Sequence, residues 1–172
     1  MSRGTVREAL RELQAAGLVD ADARGRLHVH TPDDREIAEL FQVRGALEGL
    51  AARAITGNER RADIVAELRR HLPPASVVGD FSDHMNRDLA FHERMVRLSE
   101  NSILLDAWSG LQDRMRIIFF ARGGDRPSTI MTRDHHLPIV DAIASGDHRA
   151  AHDTLVAHME QAARLWVDAP AR

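Results

Sequence analysis

Residues 31–57 read TPDDREIAELFQVRGALEGLAARAITG. Thr31 is an N-cap residue, Pro32 suits a first helical turn, and Asp34 follows three residues after Thr31 as a capping-box partner. The apolar spacing predicts a helix from about Asp33 to Thr56, with Ile37, Leu40, Phe41, Val43, Leu47 and Ala51 on its buried side. Gly57 ends it. From here onward the chain reads as all-helical. A second helix is expected over 58–71, stopped by Pro73-Pro74, a third over 80–99, and a fourth over 102–121 ending at Gly123-Gly124. A fifth spans 128–144 and is closed by Gly146. Asp147 caps a sixth over 148–167.

Strand signals are confined to the first thirty residues. Val6, Ala9, Leu10 and Leu13 predict a helix over 2–16, capped by Ser2 and stopped by Gly17. Leu18-Val19-Asp20 and Leu27-His28-Val29, joined through Arg24-Gly25-Arg26, read as a small hairpin. Two parts are therefore expected: residues 1–30, a helix followed by a wing, and residues 31–172, a helical domain. The fold class is mainly α, an antiparallel helical bundle.

Composition narrows the function classes. The 172 residues are 44% hydrophobic and 28% charged, which allows a buried core and a solvated surface. The longest apolar runs, such as Ile117 to Ala121, are too short to cross a membrane. No signal peptide is read behind Met1. Cysteine is absent, so disulfides and thiolate metal sites are excluded, and a reducing cytoplasm fits. The net charge of −3 does not argue against DNA binding, because a small basic head on a larger acidic body averages out in this way. Ten histidines are the first hint of chemistry.

Two constellations carry that chemistry. Arg3, Arg7 and Arg11 recur every four residues on one face of the first helix, with Val6, Leu10 and Leu13 on another. Spacing alone leaves two readings: a helix entering the major groove ahead of a wing, or a solvated helix pairing its arginines with Glu8 and Glu12. Further along, Asp88 and His92 lie four apart on the third helix, so they share a face with Phe91 and Met95 close by. Spacing again leaves an ion pair or part of a metal site, to which His135, His136, His148, His152 and His158 are further candidates. Imidazole and carboxylate suit Zn²⁺, Ni²⁺, Mn²⁺ or Fe²⁺.

The string Ser2-Arg3-Gly4-Thr5-Val6-Arg7-Glu8-Ala9-Leu10 through Ala16-Gly17-Leu18-Val19 closely resembles the recognition helix of the GntR superfamily of transcription regulators. The resemblance implies a winged helix-turn-helix in which Ser2, Arg3, Thr5 and Arg7 contact DNA and Gly25 lies in the wing. In that family this helix is the third of the head, so the head expected here is partial, with two helices placed before Met1.

Residues 34–166 resemble the FCD domain, the effector domain of FadR-type members. The resemblance is carried by Val43-Arg44-Gly45-Ala46-Leu47-Glu48-Gly49-Leu50, by Asp88-Leu89-Ala90-Phe91-His92, by His136 leading into Ile139-Val140-Asp141-Ala142-Ile143, and by Ala157-His158-Met159. It implies a divalent metal, Zn²⁺ first, on Asp88, His92, His136 and His158. His135 is the rival to His136. It also implies a small organic-acid effector whose carboxylate meets Arg44, a DNA operator as partner, and a homodimer. His148 and His152 are expected to face solvent, and His28, His30, His71 and His84 to have no chemical role. A metalloenzyme would use the same ligands, but no general base stands beside them as in His-Glu-x-x-His. A metal-bound dimerisation module without DNA binding is the third reading.

Overall fold

A computed structural model describes residues 2–76, 80–123 and 129–167. Helix α1 (Arg3–Ala15) is followed by strands β1 (Val19–Ala21) and β2 (Leu27–Val29), and then by α2 (Asp34–Thr56), α3 (Arg61–Arg70) and α4 (Phe81–Leu98). Helices α5 (Ser102–Ser109) and α6 (Gln112–Gly123), a 3-10 turn over Thr129–Met131, α7 (Arg133–Ser145) and α8 (His148–Val167) complete it. The mainly helical architecture and the early hairpin agree with the sequence.

The hairpin pairs antiparallel with Asp20 opposite His28. Its turn is built on Asp22, whose Oδ1 accepts the backbone N–H of Arg24 (2.8 Å) and Arg26 (2.9 Å). Gly25 takes the left-handed conformation the turn requires, at φ 74°. Helix α1 is capped by Ser2, whose side chain accepts from Thr5 N, but none of its residues is buried.

Three details of the body depart from expectation. The cap of α2 is Asp33, not Thr31, and its capping-box partner is Glu36, not Asp34. Asp33 takes the extended backbone of a cap (φ −79°, ψ 172°) and its side chain accepts from Glu36 N, so the helix starts two residues later than a Thr31 cap would place it. The inner stripe of α2 runs Ile37, Phe41, Arg44, Glu48, Ala52 and Ile55. It leaves Val43 47% exposed, and Leu40 and Leu47 are only half-buried. The helix expected over 102–121 is broken at Gly110 and Leu111. The apolar positions 104, 108, 115, 118 and 119 stay in phase across the break, so periodicity does not reveal it. The expected start of the fifth helix at 128 and the stop at Gly124 lie outside the described residues.

Helix α8 runs antiparallel along α2, and glycines set the approach. A Cβ at Gly45 would stand 3.4 Å from Met159 Cβ, and one at Gly49 2.9 Å from His152 Cδ2. His152 is therefore half-buried in this seam, while His148 is exposed as expected. The core has two main clusters. Ile55, Leu68, Phe91, Ile139 and Leu155 form one. Ile37, Phe41, Phe119, Met159 and Trp166 form the other.

The hairpin is tied to the body through His30. Its Nδ1 lies 2.7 Å from Asp20 Oδ2 on β1, and its Nε2 lies 3.2 Å from Glu36 Oε2 on α2. Acceptors at both ring nitrogens favour the doubly protonated imidazolium. Partial burial pushes the His30 pKa down, but the Asp20 hydrogen bond and the two carboxylate charges outweigh it, and the net shift is upward. A raised histidine pKa contributes stability that is fully present below about 6.5 and is lost as pH rises through the folded value. The NMR titration midpoint of His30 is therefore expected above about 6.5, and Asp20→Asn should lower it. A wild-type midpoint at or below that value would show that the clamp does not form.

Candidate metal centre

The inward faces of α2, α4, α7 and α8 meet where the two core clusters join. Helix α4 contributes Asp88 and His92, α7 contributes His136, and α8 contributes His158. Asp88, His92 and His136 are buried, and one nitrogen from each of His92, His136 and His158 lies within 4.8 Å of the others. His136 Nε2 is 3.2 Å from His92 Nε2 and 3.0 Å from Asp88 Oδ1; His92 Nε2 is 4.0 Å from the same oxygen. Phe91 packs edge-on against the rings of both His92 and His136.

The hydrogen bonds on the far side of each ring assign the tautomers. His136 Nδ1 lies 2.8 Å from Thr132 O, a carbonyl that can only accept, so Nδ1 donates. His92 Nδ1 lies 2.6 Å from Glu48 Oε2 and donates to it. Both Nε2 atoms then present lone pairs to each other and to the Asp88 carboxylate. Such a group is stable only with a cation among its members, either an extra proton or a metal ion. Imidazole nitrogens and a carboxylate oxygen are donors that Zn²⁺ and its neighbours accept, so these residues fit a divalent ion.

The electrostatics agree. Burial would raise the Asp88 pKa, but in the form that carries the extra proton His136 Nε2 donates to it, and this bond with the charges of His92, His136 and Arg44 holds it far below the usual carboxylate range. Burial, reinforced by His92 and His136, pushes His158 well below the usual imidazole value, so its ring is neutral and its lone pair available. His135 is only half-buried; its ring centre lies 5.8 Å from that of His158, and it does not join the group of three.

Arg44 is 2% exposed. It donates through Nε to Glu48 Oε1 at 2.9 Å. Its Nη2 is 2.8 Å from the same oxygen but misaligned, and it has no hydrogen-bond partner. A void of about 10 Å³, room for roughly one water, is bordered by Arg44, Asp88, His92 and His158, with Phe119 and Trp166 among its apolar walls. Away from this centre, Ser2, Arg3, Thr5 and Arg7 are exposed on or beside α1, and Gly25 has open space around it.

Two features escaped the sequence. Glu48 and Trp108 complete the surroundings of His92 and Arg44. The available signal was a charged i,i+4 pair, Arg44 and Glu48, in phase with Ile37, Phe41 and Ala51. The second is His84, expected to have no role. It is buried at 1% exposure, and neither ring nitrogen has a hydrogen-bond partner.

Residues 39–161 match the FCD domain family. The chain is 31% identical over 159 residues to the "Probable D-xylose utilization operon transcriptional repressor" of Paenarthrobacter nicotinovorans, covering 92% of this chain and 70% of that protein. It is similar in structure to a GntR protein from Rhodococcus sp. RHA1, with TM-score 0.73, 25% identity, and coverage of 99% of this chain and 82% of that one. A metal-free FCD domain aligns with TM-score 0.58 and 19% identity over 80% of this chain and 96% of its own.

Leaving a buried polar group unpaired costs on the order of 1 kcal/mol or more, a few degrees in Tm for a chain of this size. His84→Phe keeps the ring shape and removes both nitrogens, so thermal unfolding should shift upward by about 2–4 °C. A lower Tm would show that the imidazole makes a bond absent from this structure.

Proposed function

Because the chain belongs to the FCD-domain family of GntR-type transcription regulators, and is a regulator rather than an enzyme, we propose that its helical domain senses a small organic acid through a bound divalent metal ion. Asp88, His92, His136 and His158 hold the ion, Zn²⁺ by preference, with Ni²⁺, Mn²⁺ or Fe²⁺ as alternatives. The observation that carries this reading is the meeting of the His92 and His136 Nε2 atoms at 3.2 Å, each with its Nδ1 committed elsewhere.

Charge counting supports a carboxylate effector. With their ordinary charges, Arg44, Glu48 and Asp88 leave one net negative charge in the buried site. A divalent ion turns this into one net positive charge, which one effector carboxylate neutralises. Arg44 borders the void and keeps a buried donor, Nη2, without a hydrogen-bond partner. When bound, the ion supplies a Lewis-acid contact for the same carboxylate.

The void of about 10 Å³ is too small for an organic acid. Entry of the effector therefore requires the surrounding helices to part. Helix α2 continues upstream into the hairpin, so the shift reaches residues 1–30, where Ser2, Arg3, Thr5, Arg7 and Gly25 are the proposed DNA contacts. Operator binding by a homodimer is modulated by favouring one arrangement of its two heads. Residues 31–172 act as the sensor, and the site of action is the cytoplasm. Among the described residues no helix is long and apolar enough to cross a membrane.

Elemental analysis of the purified protein beside His92→Ala, His136→Ala and His158→Ala tests the centre. Near-stoichiometric metal is expected in the parent and a loss in each variant. No uptake after dialysis against Zn²⁺, Ni²⁺ and Mn²⁺ would remove the mechanism. Arg44→Lys should retain the metal but lose the thermal shift given by small carboxylates, because lysine lacks the planar fork that pairs with them.

A further inference from the structure

Glu48 has no exposed surface, yet it collects donors from three helices. Its Oε2 accepts from His92 Nδ1 on α4 at 2.6 Å. Its Oε1 accepts from Trp108 Nε1 on α5 at 2.7 Å and from Arg44 Nε on its own helix at 2.9 Å. The Arg44 guanidinium and the Trp108 N–H on Oε1 are the surroundings of an ionised carboxylate. Isolating a carboxylate in this way costs several kcal/mol unless its lone pairs are used, and three of its roughly four acceptor sites are filled.

We propose that Glu48 is the positioning residue of the metal centre: it fixes the tautomer and rotation of His92, and it ties that ligand mechanically to α2 and α5. The proposal rests on the metal-centre reading above. An ionised carboxylate has no proton to give, so the His92 nitrogen facing it must be the protonated one. The opposite nitrogen is thereby left bare, and it is the one pointing at His136 and Asp88. Trp108 and Arg44 are donors only, so they hold Oε1 and leave Oε2 for His92. Glutamine at 48 could turn its amide N–H toward His92 and permit the other tautomer; glutamate cannot. Carboxylates behind metal-bound histidines typically tune metal affinity by 10–100-fold.

The same bond gives the centre a route to the head. Glu48 and Glu36 lie twelve residues apart on one uninterrupted helix, about 18 Å along its axis. Glu36 is the body-side partner of His30. A displacement of His92 acts through Glu48 on α2, and α2 carries the contact that holds the hairpin. Trp108 extends the tie to α5, and it belongs to a small core cluster with Ala51, Val96 and Leu104.

Zn²⁺ affinity measured by chelator competition on the full chain, for the parent, Glu48→Gln and Trp108→Phe, tests the assignment. Two-bond ¹H–¹⁵N correlation spectra of the histidine rings give an independent readout. The parent is expected to show His92 protonated at Nδ1, with an N–H resonance far downfield. Glu48→Gln should lose that resonance and 10–100-fold in Zn²⁺ affinity. Trp108→Phe, which removes another bond to the same carboxylate, should keep both. Equal losses in the two variants would reduce Glu48 to a packing role and overturn the proposal, as would unchanged affinity in Glu48→Gln. The reverse His92 tautomer in the parent overturns it without any variant, so a Glu48→Gln chain that does not fold leaves the test intact. A parent that takes up no Zn²⁺ while showing the expected tautomer identifies the metal reading itself as the failure.

Discussion

Two imidazole nitrogens 3.2 Å apart, each with its other nitrogen already donating, cannot hydrogen-bond to each other without an added positive charge. This constraint sits at the junction of the two core clusters, where water is excluded and electrostatic energies are large. The polar groups there are tied to one another, with Arg44 Nη2 left as a donor without a hydrogen bond. His136 is anchored to the backbone at Thr132, His92 is anchored to Glu48, Glu48 is satisfied by Arg44 and Trp108, and Asp88 is set against both rings. The open side of the set is the space that the Nε2 lone pairs and the Asp88 oxygen share.

The helical scaffold explains how such a set is held. Four helices each give one or two polar residues to the centre, on faces that also carry the apolar core. Glycines at 45 and 49 let α8 lie close to α2, which brings His158 within reach of a centre built mainly by α4 and α7. The ring of Phe91 packs edge-on against both His92 and His136 and limits the space open to their rotamers. The site is assembled on packed helices, and among these α2 continues upstream into the hairpin.

The head and the body differ in kind. Helix α1 buries nothing, and its hairpin is joined to the body by polar contacts: His30 between two carboxylates, and Arg114 Nε on the backbone of Ala16 at 3.2 Å. Such exposed or half-buried polar contacts are directional and individually weak. The body is held by close apolar packing, which resists gradual deformation.

Local chemistry decided much of this from the sequence alone. Helical periodicity, Ser2 as a cap, Gly25 in its turn and the span of α8 follow from interactions within a few residues. The i,i+4 relation likewise puts Asp88 and His92 on one face. The cap of α2 lies two residues beyond the expected one, because Thr31 and Asp33 are both capping residue types and only Asp33 has a Glu three residues on to close the box. The break before α6 was hidden because the apolar phase runs through it. Tertiary structure alone decided that Val43 faces outward while Arg44 and Glu48 face inward, and that Glu48 of α2 accepts from His92 of α4, forty-four residues away; spacing left His135 and His136 open, the family resemblance named His136, and the packing of α7 places it against His92. Those choices depend on which helix faces which, and spacing along one helix carries no information about the donor that another helix brings to the same point.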